Sequence, residues 1–207
     1  MKKMYKAMLL ALCAVLLVAG SVMGTLAYLQ DKTETVTNTF AVGKVKITLD
    51  EAKTDIYGNP VDPAVRIPNA DETDVTGNVY KLIPNHSYKK DPTVYVEANS
   101  EACYVFVKVV NGIAAIEDSA NTIANQITNK GWTELENVDN VYYIAVNADD
   151  AKNGKRLPVF ESFKISSTAT NDSLSTYNEA KITVNAYAIQ SDGFSSAKEA
   201  WTAANFS

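Results

Sequence analysis

The sequence predicts an all-β domain, an antiparallel sandwich or barrel with one or two short helices, behind an N-terminal export signal. Two observations carry the fold class. Apolar and polar residues alternate with a period of two in one stretch after another, the pattern of half-buried strands. Between those stretches lie clusters of Gly, Asn and Pro that turn the chain, with few runs long enough for a helix. A third observation, the length of 207 residues, fits one domain of ordinary size with an ample core.

The first 27 residues read as a secretory signal. Lys2, Lys3 and Lys6 form a basic start, and Ala7 through Gly24 is uncharged and apolar. Thr25-Leu26-Ala27 then places small residues at the two positions a signal peptidase must accommodate. Cleavage between Ala27 and Tyr28 removes three of the 19 basic residues and none of the 24 acidic ones, so the mature chain is the more acidic. The apolar run reaches the lower edge of a membrane-spanning length, so a retained anchor is the competing reading. Gly20, Gly24 and Thr25 weaken the end where an anchor would stay apolar, which favours cleavage. Cys13 sits too early in the run, after Leu12, to be a lipoprotein cysteine. No second apolar stretch follows, so the mature form, residues 28–207, is expected not to span a membrane and to form a single domain.

Strands follow in order. Val45, Ile47 and Leu49 alternate with Lys44, Lys46 and Thr48, and Val94 and Val96 alternate with Tyr95 and Glu97. In Cys103-Tyr104-Val105-Phe106-Val107-Lys108-Val109 the odd positions share one face, which makes Cys103 a small buried hydrophobe rather than a nucleophile or a bridge to another chain. Tyr142–Val146 and Val159–Ile165 read as two further strands, separated by a turn-rich loop containing Asn153-Gly154. Ile182, Val184, Ala186 and Ala188 mark the last. Two helices interrupt the series. Ile116, Ala120, Ile123, Ala124 and Ile127 fall on one helical face that ends near Gly131. At the C-terminal end, Ser196 and Glu199 make a capping box ahead of the stripe Ala197, Ala200, Trp201 and Ala204, in which Trp201 reads as a core plug. Between Asp50 and Asn78 the chain is polar and proline-bearing, with a turn at Tyr57-Gly58-Asn59-Pro60, and reads as an irregular surface excursion.

Chemistry is constrained by what the composition leaves out. The single histidine, His86, excludes sites built on two imidazoles, and two cysteines cannot form a disulfide framework or a four-thiolate zinc site. The acidic balance and scattered lysines argue against nucleic acid. Neither glycine-rich phosphate loop occurs, nor the G-x-S-x-G elbow. His86, in Pro84-Asn85-His86-Ser87, reads as a solvated turn histidine. The acidic clusters Asp71-Glu72-Thr73-Asp74 and Asp149-Asp150 fall on predicted loops and offer oxygen ligands for calcium, though neither matches a calcium-loop spacing. Trp132, Tyr142 and Tyr143 line either a carbohydrate groove or a sandwich edge.

At Gly24-Thr25-Leu26-Ala27-Tyr28-Leu29-Gln30-Asp31, followed by Asn38-Thr39-Phe40-Ala41-Val42-Gly43-Lys44-Val45, the chain resembles the TasA/camelysin family. Those are exported proteins of Gram-positive Firmicutes, processed by a dedicated SipW-type signal peptidase. Lys90-Asp91-Pro92-Thr93-Val94 running into Cys103–Val109 is similar to clostridial members of that exported group. So is Ala186-Tyr187-Ala188-Ile189-Gln190 leading to Gly193-Phe194 and Ala200-Trp201. The resemblance implies a jelly-roll-like β-sandwich, secreted to the extracellular matrix or cell surface, that serves as a biofilm fibre subunit or accessory subunit. Its partners would be copies of itself or related matrix subunits, with the SipW-type peptidase acting during export, and it would need no cofactor.

In that reading residues 28–40, freed by cleavage, form an assembly arm that pairs with the next subunit's sheet. Thr33–Phe40 is β-prone and free of Gly and Pro, with Val36 and Phe40 on one face and Leu29 ahead of them. Such a segment suits strand addition, though it would equally suit the first strand of its own sheet. The camelysin side of the resemblance implies a cell-surface metalloprotease instead. The chain departs from that, because only His86 could supply an imidazole to zinc. A third class is a non-enzymatic surface module that binds glycan or protein through its loops or aromatics.

Overall fold

The computed structural model describes Tyr5 and residues 44–61, 66–68 and 77–206. The chain divides into two compact units, Met1–Ala41 and Val42–Ser207, and the fold described here is that of the second. It is mostly β, and every strand pairing is antiparallel. In chain order the strands are β1 (Ile47–Ala52), β2 (Arg66–Pro68), β3 (Ser87–Lys89), β4 (Thr93–Val96) and β5 (Cys103–Asn111). They continue with β6 (Thr133–Glu134), β7 (Val141–Val146), β8 (Lys155–Pro158), β9 (Ser162–Lys164) and β10 (Ile182–Gln190). One four-stranded sheet has the order β2-β1-β4-β8, a second has β10-β5-β7-β6, and β3 and β9 form a two-stranded ribbon.

The two larger sheets share one hydrophobic core. Val94 and Val96 of β4 and Leu157 of β8 meet Cys103, Val105, Val107 and Val109 of β5 there. The predicted alternation in β5 therefore holds, with Cys103 fully buried. The opposite face of β5 is not solvated. Phe106 is also fully buried, because the C-terminal helix covers that side of the sheet. The sheet is thus packed on both faces, by the first sheet on one side and by a helix on the other.

Four α-helices are present among the described residues, more than the one or two expected: α1 (Ile123–Asn129), α2 (Ala148–Asn153), α3 (Asn171–Ser175) and α4 (Ala197–Ala204). Each is nucleated by a side-chain cap: Thr122, Asn147, Thr170 and Ser196 accept from the backbone N–H of Asn125, Asp150, Ser173 and Glu199. The predicted helix from Ile116 starts only at Ile123. Asp118 turns the chain by accepting from the Ala120 N–H, and the Glu117 carboxylate takes the N–H of Ile123, so the intervening residues bond to side chains rather than to a helical ladder. Its end is where expected: Gly131 follows with φ +90°. Asn153-Gly154 is the end of α2, not the middle of a loop. At α4 the Ser196 cap forms, while the Glu199 carboxylate reaches back to the Ser195 N–H and hydroxyl instead of closing the box on Ser196 itself.

The expected strand Val159–Ile165 is also divided. β8 ends at Pro158 beside β4, and β9 starts at Ser162 beside β3. Between them Val159 and Phe160 are both fully buried, so two consecutive side chains point into the core and the period of two is lost where the chain crosses over. The Asp50–Asn78 excursion is partly ordered structure: β2 pairs with β1, and Thr54 bridges to Pro60 around the predicted Gly58 turn. Gly58 has φ +79°, and a Cβ there would lie 2.6 Å from Tyr88 Cα, which explains the glycine.

Candidate functional site

Ala27 and Tyr28 at the cleavage point, Leu29, Val36 and Phe40 of the arm, and the cluster Asp71, Glu72 and Asp74 all lie outside the described residues. The other predicted candidates are placed. Burial pushes the Cys103 thiol up to about 11, so it stays protonated and sheltered, as a packing residue would. His86 is half-buried. Its Nε2 lies 2.9 Å from the Tyr57 carbonyl oxygen, and its ring stands edge-on to Tyr88 at 4.6 Å, so it fastens the Gly58 turn to the β3–β9 ribbon. Asp149 and Asp150 are not on a loop: they occupy the first turn of α2, where the helix end attracts negative charge, and Asp150 also pairs with Lys155 at 3.2 Å.

The aromatic groove does not form. Trp132 is 1% exposed, and its Nε1 donates to the Pro158 carbonyl at 2.8 Å. Tyr142 joins the core between the sheets, while Tyr143 lies on the helix side with Tyr104 and Phe106. Neighbours on one strand point to opposite faces, so the three rings cannot share a surface. Trp201 is the core plug its stripe predicts, with ring centroids 5.1 Å from Phe106 and 5.6 Å from Tyr187.

The β10 strand, an edge of its sheet among the described strands, differs from the other edges in sequence. Among the described residues β10 has one strand neighbour, β5, paired from Ile182↔Asn111 to Gln190↔Cys103. Sheet edges are normally blunted by charge, proline or shortness. β2 (Arg-Ile-Pro) and β8 (Lys-Arg-Leu-Pro) carry both charge and proline, and β6 has two residues. β10, Ile-Thr-Val-Asn-Ala-Tyr-Ala-Ile-Gln, runs nine residues with neither. The core is also least closed beside it. Ile182, Val184, Ala186 and Ala188 on β10, and Val45, Ile47 and Leu49 at β1 across from it, are only half-buried, whereas Val94, Val96, Val105 and Val107 are sealed.

A second cluster gathers at the far end of β1, and sequence reasoning missed it. Arg66 of β2 donates to Asp50 at 2.6 Å and to Asp91 and Thr93 at 3.2 Å, joining β2 to β1 and to the start of β4. Burial works against ionised Asp91, but the Ala52 N–H, Arg66 and Lys89 outweigh it and hold the carboxyl below its ordinary range. On the inward side, Glu51 bonds Lys90 and Asn78 together. A signal for Glu51 existed: it continues the period of Ile47 and Leu49, which places a carboxylate on a core-facing position. Nothing in the local pattern marked Lys90 or Asn78.

Among the described residues, no group of three or more His, Cys, Asp or Glu side chains converges as a metal site, and no helix is long and apolar enough to cross a membrane. Comparison with protein-family models, curated proteins and solved structures returned no match for this chain.

Proposed function

We propose that the chain is an exported structural subunit, a jelly-roll-like sandwich that assembles in the extracellular matrix by strand addition, as a fibre subunit or an accessory to one. Cleavage after Ala27 frees residues 28–40, and this arm pairs along the β10 edge of another copy. The observation that carries the reading is the contrast among the described edges of the two four-stranded sheets, with β2, β6 and β8 blunted and β10 long, uncharged and free of proline. Main-chain hydrogen bonds along β10 would supply affinity, and alternate arm side chains such as Val36 and Phe40 would enter the half-closed seam between β1 and β10. Arm and seam are different surfaces, so each subunit offers one and accepts the other. Such a head-to-tail contact propagates into a filament instead of closing as a dimer.

Negative-stain electron microscopy of protein beginning at Tyr28, beside protein beginning at Val42, tests this. Filaments from the first and none from the second are expected. Filaments from neither, with both proteins folded and monomeric, would overturn the proposal and leave zinc content and glycan binding as the next measurements.

A further inference from the structure

The pocket around Glu51 holds an amine and a carboxamide on one carboxylate. Lys90 Nζ is 2.5 Å from Glu51 Oε2, with only 10% of the lysine side chain and 13% of the glutamate side chain exposed. Asn78 Nδ2 donates to Glu51 Oε1 at 3.0 Å and to the Ala52 carbonyl at 2.9 Å. Asn78 Oδ1 accepts the Thr54 N–H at 2.9 Å. These partners fix the amide's orientation, since both acceptors face its nitrogen and the single donor faces its oxygen. Aromatic rings wall the site: Tyr80 sits edge-on to Tyr88 and Phe163, and its hydroxyl donates to the Lys89 carbonyl. Burial, with Glu51's charge acting in the same direction, pushes the Tyr80 phenol up to about 12.

A buried ion pair is an inefficient way to hold a fold together, because desolvation offsets most of the attraction. Here the three groups have complementary reactivity. We propose that Lys90 and Asn78 condense into an intramolecular isopeptide bond, with Glu51 as the catalytic proton carrier. Lys90 passes a proton from Nζ to Glu51 Oε2 and becomes a neutral nucleophile. Its lone pair forms a bond to Asn78 Cγ, and the developing charge on Oδ1 is met by the Thr54 N–H already aimed at it. Glu51 then protonates Nδ2, the Cγ–Nδ2 bond breaks, ammonia leaves, and the remaining extra proton on the former lysine nitrogen returns to Glu51 Oε2 beside it. The neutral amine gives up one hydrogen and the carboxamide its NH2 group, which together leave as ammonia, so the step needs no oxidant and no further reactant. The state described above, with amine and carboxamide each bonded to Glu51, is the unreacted precursor.

The proposal is independent of strand addition. It is tested on the purified full chain by intact mass in denaturant, followed by peptide mapping. The expected result is a mass about 17 Da below that calculated for the purified polypeptide from its own N-terminus onward, the loss of one ammonia. Mapping should find a branched peptide that joins the Asn78 and Lys90 segments. E51Q, which keeps the shape but cannot carry the proton, and K90M should both show the full mass. N78D should lose water and still give the branched peptide. Wild-type protein at its full mass after prolonged incubation would overturn the proposal without reference to any variant. A deficit with no branched peptide would overturn it equally, since succinimide formation also releases ammonia.

Discussion

Trp201→Ala tests the two-sided packing of the second sheet. Trp201 is 8% exposed and lies within ring contact of Phe106, Tyr187 and Phe206, with centroids at 5.1, 5.6 and 5.3 Å. Truncating a buried Trp to Ala costs about 3–5 kcal/mol through lost transfer energy and the residual cavity. The lower end applies here, because α4 has eight residues and can shift to fill part of the space. A loss of about 3 kcal/mol corresponds to a fall in Tm of about 6–12 °C for a domain of this size. The chain has two tryptophans, so Trp132, buried on the other side of the sheet, remains as the fluorescence probe for urea unfolding. The midpoint should fall with the slope unchanged. If α4 detaches before the sandwich opens, its amides would exchange early while those of β5 stay protected. A change below about 1 kcal/mol with α4 amides still protected would refute the claim that this helix seals the sheet.

Other consequences are as direct. Gly58→Ala should destabilise by about 1–3 kcal/mol in the same urea assay, since its φ is +79° and the new methyl meets Tyr88 Cα at 2.6 Å. Asp91→Asn should lower stability at neutral pH, and its deficit should shrink on acidification. The wild-type carboxyl is held below its ordinary 3.8, so its stabilisation is complete above that value and is lost as pH falls through the lowered one; urea midpoints from pH 7 down to 2 report the window. Trp132→Phe should cost about 1–2 kcal/mol by leaving the Pro158 carbonyl without its 2.8 Å donor, and should leave any glycan binding unchanged. Thr183→Lys, opposite Val110, places charge on an exposed position of β10; the domain should fold as before while filaments are lost, and filaments at wild-type yield would exclude this edge as the acceptor.

What the sequence revealed divides along physical lines. Strands with one face in the shared core were legible, because alternation in β4, β5, β7 and β10 follows which residues enter that core. Cys103 and Trp201 were placed for the same reason. The alternation failed where burial became two-sided or the chain changed partners: Phe106 is sealed by a helix some ninety residues downstream in the chain, about which local period says nothing. Val159 and Phe160 are buried in succession, so no strand runs through them. The short helices α2 and α3 were missed because each is one or two turns held by a cap, and a cap such as Asn147 looks identical to a turn residue. For Trp132 the choice between groove and packed edge stayed open in the sequence, since an indole satisfied by a carbonyl and one displayed to solvent share a sequence signature. The Glu51–Lys90–Asn78 contact joins residues 39 and 27 positions apart, and only the folded chain brings them together.

The order of elements along the chain has a kinetic corollary. The second sheet is built around β5, yet its long partner β10 and its covering helix α4 follow every other described element in the chain. Until both exist, β5 carries an open ladder on one side and bare Tyr104 and Phe106 on its outer face. Pairing Cys103 with Gln190 closes a long loop, and non-local closures of this kind make folding slow. The nascent protein therefore spends its synthesis as an incomplete sheet with a sticky flank, and a ribosome stalled before Ile182 would release an aggregation-prone fragment. Only the arrival of α4 ends that exposure.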